Sequence, residues 1–147
     1  MSLVDFSHLL KIFGGHTATP EEKETLFKES LLLTLSRATS ADTNIDPAEV
    51  DTVKAVIERI TGDSVDPADI RVAAASALYE SAPLNDYLKK AGRSLEIEQR
   101  VAIVTALADI IRSDSDIRGA EVDFFNSVYD ALNVTPAQLA GLMPNKP

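Results

Sequence analysis

The chain of 147 residues contains no cysteine. This absence excludes disulfide bonds, thiolate metal sites, iron–sulfur clusters and a cysteine nucleophile. Long apolar runs are also absent, because stretches such as Leu31-Leu32-Leu33 fall far short of the roughly 20 residues that a membrane-spanning helix requires. The N-terminus carries Asp5 where a signal peptide would have basic residues. We therefore expect a cytoplasmic protein without a membrane span.

Basic residues are scarce, with 14 Lys and Arg against 23 Asp and Glu, so the formal net charge is −9. This sign is wrong for binding nucleic acid or anionic lipid. Cations or basic protein surfaces are the predicted partners. The one basic cluster, Lys89-Lys90-Ala91-Gly92-Arg93, lies at a predicted helix end, where it complements the helix dipole. A docking role for this cluster is the alternative interpretation.

Motifs for common enzyme chemistry are missing as well. His8 and His16 lack the spacing of zinc ligands, and we interpret both as surface or partly packed side chains. The chain has no Gly-x-Ser-x-Gly nucleophile elbow. The run Phe13-Gly14-Gly15-His16 is not followed by the Gly-Lys-Ser/Thr of a phosphate-binding loop. The sequence therefore predicts a protein that is not an enzyme.

Four of the seven prolines follow a Thr or Asp, which is typical of a helix start. The Thr or Asp caps the helix and proline occupies its first position, and in three cases a Glu or Gln in the third position completes a capping box. The four starts are Thr19-Pro20-Glu21-Glu22, Asp46-Pro47-Ala48-Glu49, Asp66-Pro67-Ala68-Asp69 and Thr135-Pro136-Ala137-Gln138.

Apolar residues after these starts recur with helical spacing, and no Asn-Gly or Asp-Gly hairpin sequence separates alternating runs. We predict an all-α fold of seven or eight helices in one bundle-like domain over residues 1–147. A chain of this length buries about 68–70% of its extended surface, which is enough for a packed core. Besides the helices at the proline starts, we expect helices near residues 4–13, 84–90 and 97–111; the helix from Pro67 should reach Glu80, and a final turn should span 137–142.

One acidic segment occurs twice. A shift of 72 residues aligns residues 42–53 with residues 114–125, and six of these twelve positions are identical. An apolar helix is predicted before each copy and an amphipathic helix after it. This pattern predicts two helix–acidic turn–helix repeats, at about 20–80 and 94–142, that pack against each other.

The acidic segments allow two interpretations. Acids at a helix start cap amide groups and complement the dipole, which accounts for most of the first copy through Asp46 and Glu49. In the second copy Arg118 occupies the cap position and cannot accept an amide hydrogen, so capping does not explain the acids before it. The alternative is a site for a hard cation, with Ca²⁺ or Mg²⁺ favoured. Its candidate oxygen ligands are Asp42, Asn44, Asp46 and Glu49 in the first copy and Asp114, Asp116 and Glu121 in the second.

Neither copy is an EF-hand, because Pro47 replaces the glycine at loop position 6, and Val53 and Phe125 replace the glutamate at position 12. Both segments instead resemble the TerB-like tellurite-resistance family, all-helical domains of two repeats that each contain an Ala-Asp-Gly-x-Ile-x-x-x-Glu turn. Residues 41–49 and 113–121 match this turn in spacing.

The resemblance covers about residues 20–142. It implies a role in tellurite and chemical-stress responses, and it implies that the metal-chelating acids of the family correspond to Asp42, Glu49, Asp114 and Glu121. We therefore expect an acidic helical protein that binds a divalent cation, a protein partner or both. A metal-dependent hydrolase and a purely structural interaction domain without metal are the alternatives. The sequence does not predict the oligomeric state.

Overall fold

A computed structural model describes residues 6–39, 47–74, 83–112 and 119–140. Within these ranges the chain forms eight helices and no strand, which confirms the predicted all-α fold. The helices are α1 Ser7–Phe13, α2 Pro20–Thr39, α3 Pro47–Thr61, α4 Pro67–Ala74, α5 Leu84–Ser94, α6 Ile97–Arg112, α7 Gly119–Ala131 and α8 Pro136–Ala140.

Two of the predicted capping boxes form at the starts of α2 and α8. The amide of Glu22 donates to Thr19 Oγ1 at 3.2 Å, and the amide of Thr19 donates to Glu22 Oε1 at 2.9 Å. Thr135 and Gln138 exchange the same two bonds at 3.1 and 2.9 Å. Each pair satisfies two amide groups that have no partner inside the helix, which confirms the local interpretation of these sequences.

The predicted cap at the start of α4 also forms, because the amide of Ala68 donates to Asp66 Oδ1 at 2.9 Å. The fourth predicted cap, Asp46, lies outside the described residues. Three of the four proline starts are therefore confirmed at the level of individual hydrogen bonds.

Two helix boundaries differ from the prediction. Helix α1 begins at Ser7 instead of about Val4, because Phe6 has φ 50° and ψ 37°, a left-handed conformation that cannot continue a right-handed helix. Helix α5 runs to Ser94, one turn beyond the predicted end at Lys90, and includes Gly92 at the roughly 1 kcal/mol that glycine costs inside a helix. The predicted ends at Glu80 and Leu142 lie outside the described residues.

Helix α2 is the central helix of the fold. It packs against α1, α3, α4 and α6, and from Leu26 to Ser36 every residue except Lys28 is buried. A helix surrounded on all sides has no solvent-facing stripe, so its middle turns are mostly apolar. Four polar side chains are nevertheless buried there: Glu29, Ser30, Thr34 and Ser36.

The two predicted repeats have similar neighbours. In the first, α2 packs on α3, and α4 packs on both; in the second, α6 packs on α7, and α8 packs on α6. The repeats meet where α2 and α3 contact α6, and α5 packs against α1, α2 and α7. One cluster of buried apolar residues includes side chains from Phe6 to Val134. None of the described helices is both long and apolar enough to cross a membrane.

Candidate functional site

The acidic segments connect α2 to α3 and α6 to α7. Five of the seven predicted ligands, Asp42, Asn44, Asp46, Asp114 and Asp116, lie outside the described residues. Glu121 belongs to α7, but its side chain also lies outside the described part of the structure. Glu49 is described, and it is exposed in the first turn of α3.

The starts of α3 and α7 place the two glutamates in equivalent positions. The helices begin at Pro47 and Gly119, so Glu49 and Glu121 are each the third helical residue. A carboxylate there is stabilised by the positive end of the helix dipole. Asp51 and Asp123, which are also equivalent in the repeat, are both exposed two residues further along. Both helix starts therefore carry negative charge toward solvent.

Asp109 is a further carboxylate, and it lies in the last turn of α6, shortly before the second acidic segment in the chain. Asp109 Oδ2 accepts a hydrogen bond from Arg59 at 2.9 Å, and Asp109 Oδ1 accepts one from Arg112 at 2.9 Å. Two guanidinium groups thus compensate the charge of Asp109, which makes it a structural link between α3 and α6. We therefore do not count it among the candidate cation ligands.

The contact between Arg59 and Asp109 shows which parts of α3 and α6 lie next to each other. Arg59 lies near the end of α3, and Asp109 lies one turn before the end of α6, where the second segment begins. The first segment leads into the opposite end of α3, the 15-residue helix that begins at Pro47. With a rise of about 1.5 Å per residue, about 18 Å of helix separates Pro47 from Arg59. In residues 6–39, 47–74, 83–112 and 119–140, no group of three or more His, Asp or Glu is placed to hold a metal ion.

Both histidines pair with a glutamate from α2, and both have the predicted exposure. His8 is partly packed, with 19% of its side chain exposed, and its Nδ1 lies 2.8 Å from Glu29 Oε2. His16 lies at the surface, with its Nε2 3.0 Å from Glu22 Oε1. Hydrogen bonds from the His16 side chain and the Thr19 amide lower the pKa of Glu22 to about 2. The His8–Glu29 pair joins α1 to α2, and the His16–Glu22 pair joins the loop before α2 to its first turn. Both pairs therefore have a structural role.

Two charged residues that bond to the backbone at helix ends, Glu29 and Arg100, carry no signal in the sequence. Glu29 is 2% exposed and accepts hydrogen bonds from the amides of His8 and Leu9. Arg100 donates to the carbonyl oxygens of Leu132 and Asn133 at 3.1 and 3.2 Å. Their partners lie 20 to 33 residues away in the chain, so no local pattern could have identified them.

These features define a class of protein: an all-α fold in which a glutamate is the third residue of both α3 and α7. The family model described as Tellurite resistance protein TerB matches residues 28–143. This match covers most of the chain, so the protein belongs to the TerB family, and the resemblance inferred from the acidic segments is confirmed. Domains of this family are generally non-catalytic. No curated protein and no solved structure matches the chain.

Proposed function

We propose that this protein is a non-enzymatic member of the tellurite and chemical-stress response that binds divalent cations through its two acidic segments. Its family membership supports the process. The repeat itself supports the binding, because the second copy keeps Asp114, Asp116 and Glu121 although Arg118 cannot act as an N-cap. That retention of acids without a capping role is the observation that carries the proposal.

The donor set fits a hard cation. Ca²⁺ and Mg²⁺ bind carboxylate and carbonyl oxygens, and the first segment offers Asp42, Asn44, Asp46 and Glu49. The chain has no cysteine that would favour a softer metal. Glu49 is exposed at the start of α3, where a bound cation would not require the carboxylate to leave a buried position.

We further propose two separate sites instead of one shared site. The Arg59–Asp109 contact puts the end of α6 beside the last turn of α3, whereas the first segment joins the first residue of α3. Ligand distances to Ca²⁺ are about 2.3–2.6 Å, so a shared site would need both segments at one end of α3. The length of α3 supports one ion at each segment.

Calorimetric titration of the metal-free protein with Ca²⁺, Mg²⁺, Mn²⁺ and Zn²⁺ tests the proposal. We expect the wild type to bind one ion at each segment, and Asp42→Ala and Asp114→Ala each to lose one of these two events. Glu98→Ala is the matched control, since Glu98 is an exposed acid in the first turn of α6 that no acidic segment precedes. This variant should bind as the wild type does.

Thermal unfolding gives an independent measurement. Binding to the folded state alone stabilises by about 2.7 kcal/mol for each site at a free ion concentration of 100 times Kd. No heat and no increase in melting temperature with any of the four ions would refute cation binding and leave helix capping as the role of the acids. Hydrolytic turnover that disappears with Glu49→Gln or Glu121→Gln would refute the non-enzymatic assignment.

A further inference from the structure

A groove with basic walls lies between the second half of α5, the start of α6 and the turn from α7 to α8. Its volume is about 480 Å³, and it is open to solvent. Lys89 and Arg93 from α5 and Arg100 from α6 line it, together with Asn133 and a single acid, Asp130. We call this the basic groove. Its three cations against one carboxylate reverse the charge of a chain whose net charge is −9.

The cations of the basic groove differ from most others in the described residues. Lys23, Lys28, Arg59 and Arg112 each contact a carboxylate at 2.5 to 2.9 Å. Lys89 and Arg93 are exposed, and neither forms a hydrogen bond or ion pair with any other residue in the described ranges. Within residues 6–39, 47–74, 83–112 and 119–140, no carboxylate therefore compensates these two charges.

Arg100 is the fixed member of the groove. Its Nη1 donates to the carbonyl oxygens of Leu132 and Asn133, the two residues that follow α7, and these bonds fix the position of the guanidinium group. Gly92 of α5 faces this turn, and a Cβ added there would be in ordinary van der Waals contact with the Cα of Leu132, at 3.6 Å. This arrangement brings the cations of α5 and α6 to the walls of a single groove.

A second, smaller hollow of about 230 Å³ extends the basic groove toward the loop between α1 and α2. Arg93 lines both, and Lys90 and His16 line the smaller one. Lys90 is held by the carbonyl oxygen of Phe13 at 3.3 Å and lies over the Phe13 ring, 5.2 Å from its centroid. The two hollows lie along the end of α5, whose cations Lys89, Lys90 and Arg93 line them. This spacing of positive charges suits a ligand longer than a single oxyanion.

We propose that the basic groove binds an acidic, extended peptide segment of a partner protein. A guanidinium group binds a carboxylate through two parallel hydrogen bonds. Arg93 is exposed and lines both hollows, so its guanidinium group can bind a carboxylate of the ligand in this way. Charges in solution are screened beyond about 8 Å, so a short acidic segment within the groove interacts mainly with its walls. A long polyanion such as nucleic acid, or an anionic membrane, would also face the acidic remainder of the chain, which opposes binding.

This site is independent of the proposed cation sites, because its side chains are basic and lie on α5 and α6. Its test is therefore carried out on metal-free protein in the presence of a chelator. Binding of the peptide under that condition cannot depend on a bound divalent ion, so failure of one proposal leaves the other unaffected.

The probe is a fluorescein-labelled peptide of alternating glutamate and glycine, and its binding to the full chain is followed by fluorescence anisotropy. We expect saturable binding that weakens as salt increases. Arg93→Glu should weaken it by at least about tenfold, which corresponds to about 1.4 kcal/mol. Arg71→Glu is the control, because Arg71 is exposed on α4, lines neither hollow and undergoes the same change of charge. Its effect should stay below about twofold.

Lys89→Glu, a second exposed position in the groove, repeats the test if Arg93→Glu does not fold. The proposal is wrong if the peptide does not bind, or if Arg71→Glu and Arg93→Glu weaken it equally. It is also wrong if the peptide does not bind but single-stranded RNA or phosphatidylserine vesicles do, and if that binding is lost in Arg93→Glu. Concentration-dependent self-association that only Arg93→Glu abolishes, without peptide binding, would identify a second copy of the chain as the occupant and would equally overturn the proposal.

Discussion

Two helix ends in this protein are capped by a charged side chain from another helix. At the start of α1, Glu29 from α2 accepts hydrogen bonds from the amides of His8 and Leu9 at 3.1 and 3.0 Å. At the end of α7, Arg100 from α6 donates to the carbonyls of Leu132 and Asn133. In both cases the sign of the charge complements the helix dipole: an acid at the start and a base at the end.

The two caps differ in burial. Glu29 is 2% exposed, and it lies among residues of the apolar core. Arg100 is partly exposed, and Asn133 beside it is exposed. Water cannot replace the lost acceptor of a buried amide, whereas water can replace the lost donor of a carbonyl at the surface. The same type of contact should therefore stabilise the fold to different extents, and the exposed cap can also contribute to a binding groove.

Replacement of the buried cap should have the largest effect on stability. Glu29→Ala removes the acceptor of the buried Leu9 amide and of the partly buried His8 amide, and a buried group left without a partner costs about 1–3 kcal/mol. We expect the free energy of unfolding to fall by about 3 kcal/mol in urea denaturation. Glu24→Ala, an exposed position on the same helix, should change it by less than about 0.5 kcal/mol. A loss below about 1 kcal/mol for Glu29→Ala would show that water or another group takes over the cap.

Replacement of the exposed cap should cost less. Arg100→Met keeps most of the aliphatic stem but removes the two hydrogen bonds to the α7 end. We expect a loss of about 1.5 kcal/mol, because the freed carbonyl of the exposed residue Asn133 can be hydrated, whereas that of the buried residue Leu132 loses its donor. Arg112→Met, whose side chain is 69% exposed, is the control and should stay within about 0.5 kcal/mol. If Arg100→Met proved as destabilising as Glu29→Ala, burial would not be the property that separates the two caps.

Caps formed by residues within one turn provide the reference for the effects of the Glu29 and Arg100 caps on stability. Thr19→Ala breaks the capping box with Glu22 at the start of α2, and loss of such a cap costs about 1 kcal/mol. Thr135→Ala breaks the same box on α8, a helix of five residues that packs on α6. We expect this second change to open α8 locally, with faster amide hydrogen exchange at Gln138 and little change in global stability. Equal global losses would mean that α8 unfolds together with the core.

The smallest effect should be seen in the dependence on pH. Because the pKa of Glu22 is lowered to about 2, the folded state keeps this carboxylate ionised where the unfolded state takes up a proton near 4.5. The stability that Glu22 contributes is therefore present above about pH 4.5 and is lost as the pH falls toward 2. Glu22→Gln should reduce the slope of melting temperature against pH in that window. An unchanged slope, or an NMR titration of Glu22 with an ordinary pKa, would contradict this assignment.

The fold was predictable where the relevant contacts are local. The boxes at Thr19 and Thr135 connect residues three positions apart, and both form as predicted. The start of α1 was not predictable from its sequence. Phe6 is 1% exposed, and burial of a phenylalanine side chain contributes about 1.5–3 kcal/mol, which offsets the roughly 1–2 kcal/mol of a left-handed residue. Local preference alone would have extended the helix toward Val4.

The candidate cation ligands rest on the sequence, since the repeat of Asp42–Glu49 at Asp114–Glu121 is visible without coordinates. Only the contact between Arg59 and Asp109 gives a reason to separate the two copies into different sites. The basic cluster from Lys89 to Arg93 is visible in the sequence as well, where its position at a helix end predicts a complement to the helix dipole. Its role as a groove wall depends on Arg100 and on the turn after α7, which the sequence does not place beside it.

The all-α class, the proline-marked helix starts and the family could be predicted without coordinates, because they depend on spacings of a few residues or on one repeated segment. Tertiary structure alone decided which buried carboxylate caps α1, which arginine caps α7, and which cations share a groove. Each of these contacts joins residues at least 20 positions apart, or different helices. They depend on how the helices pack against α2, and helix packing follows from the shape of the whole core, not from any short pattern.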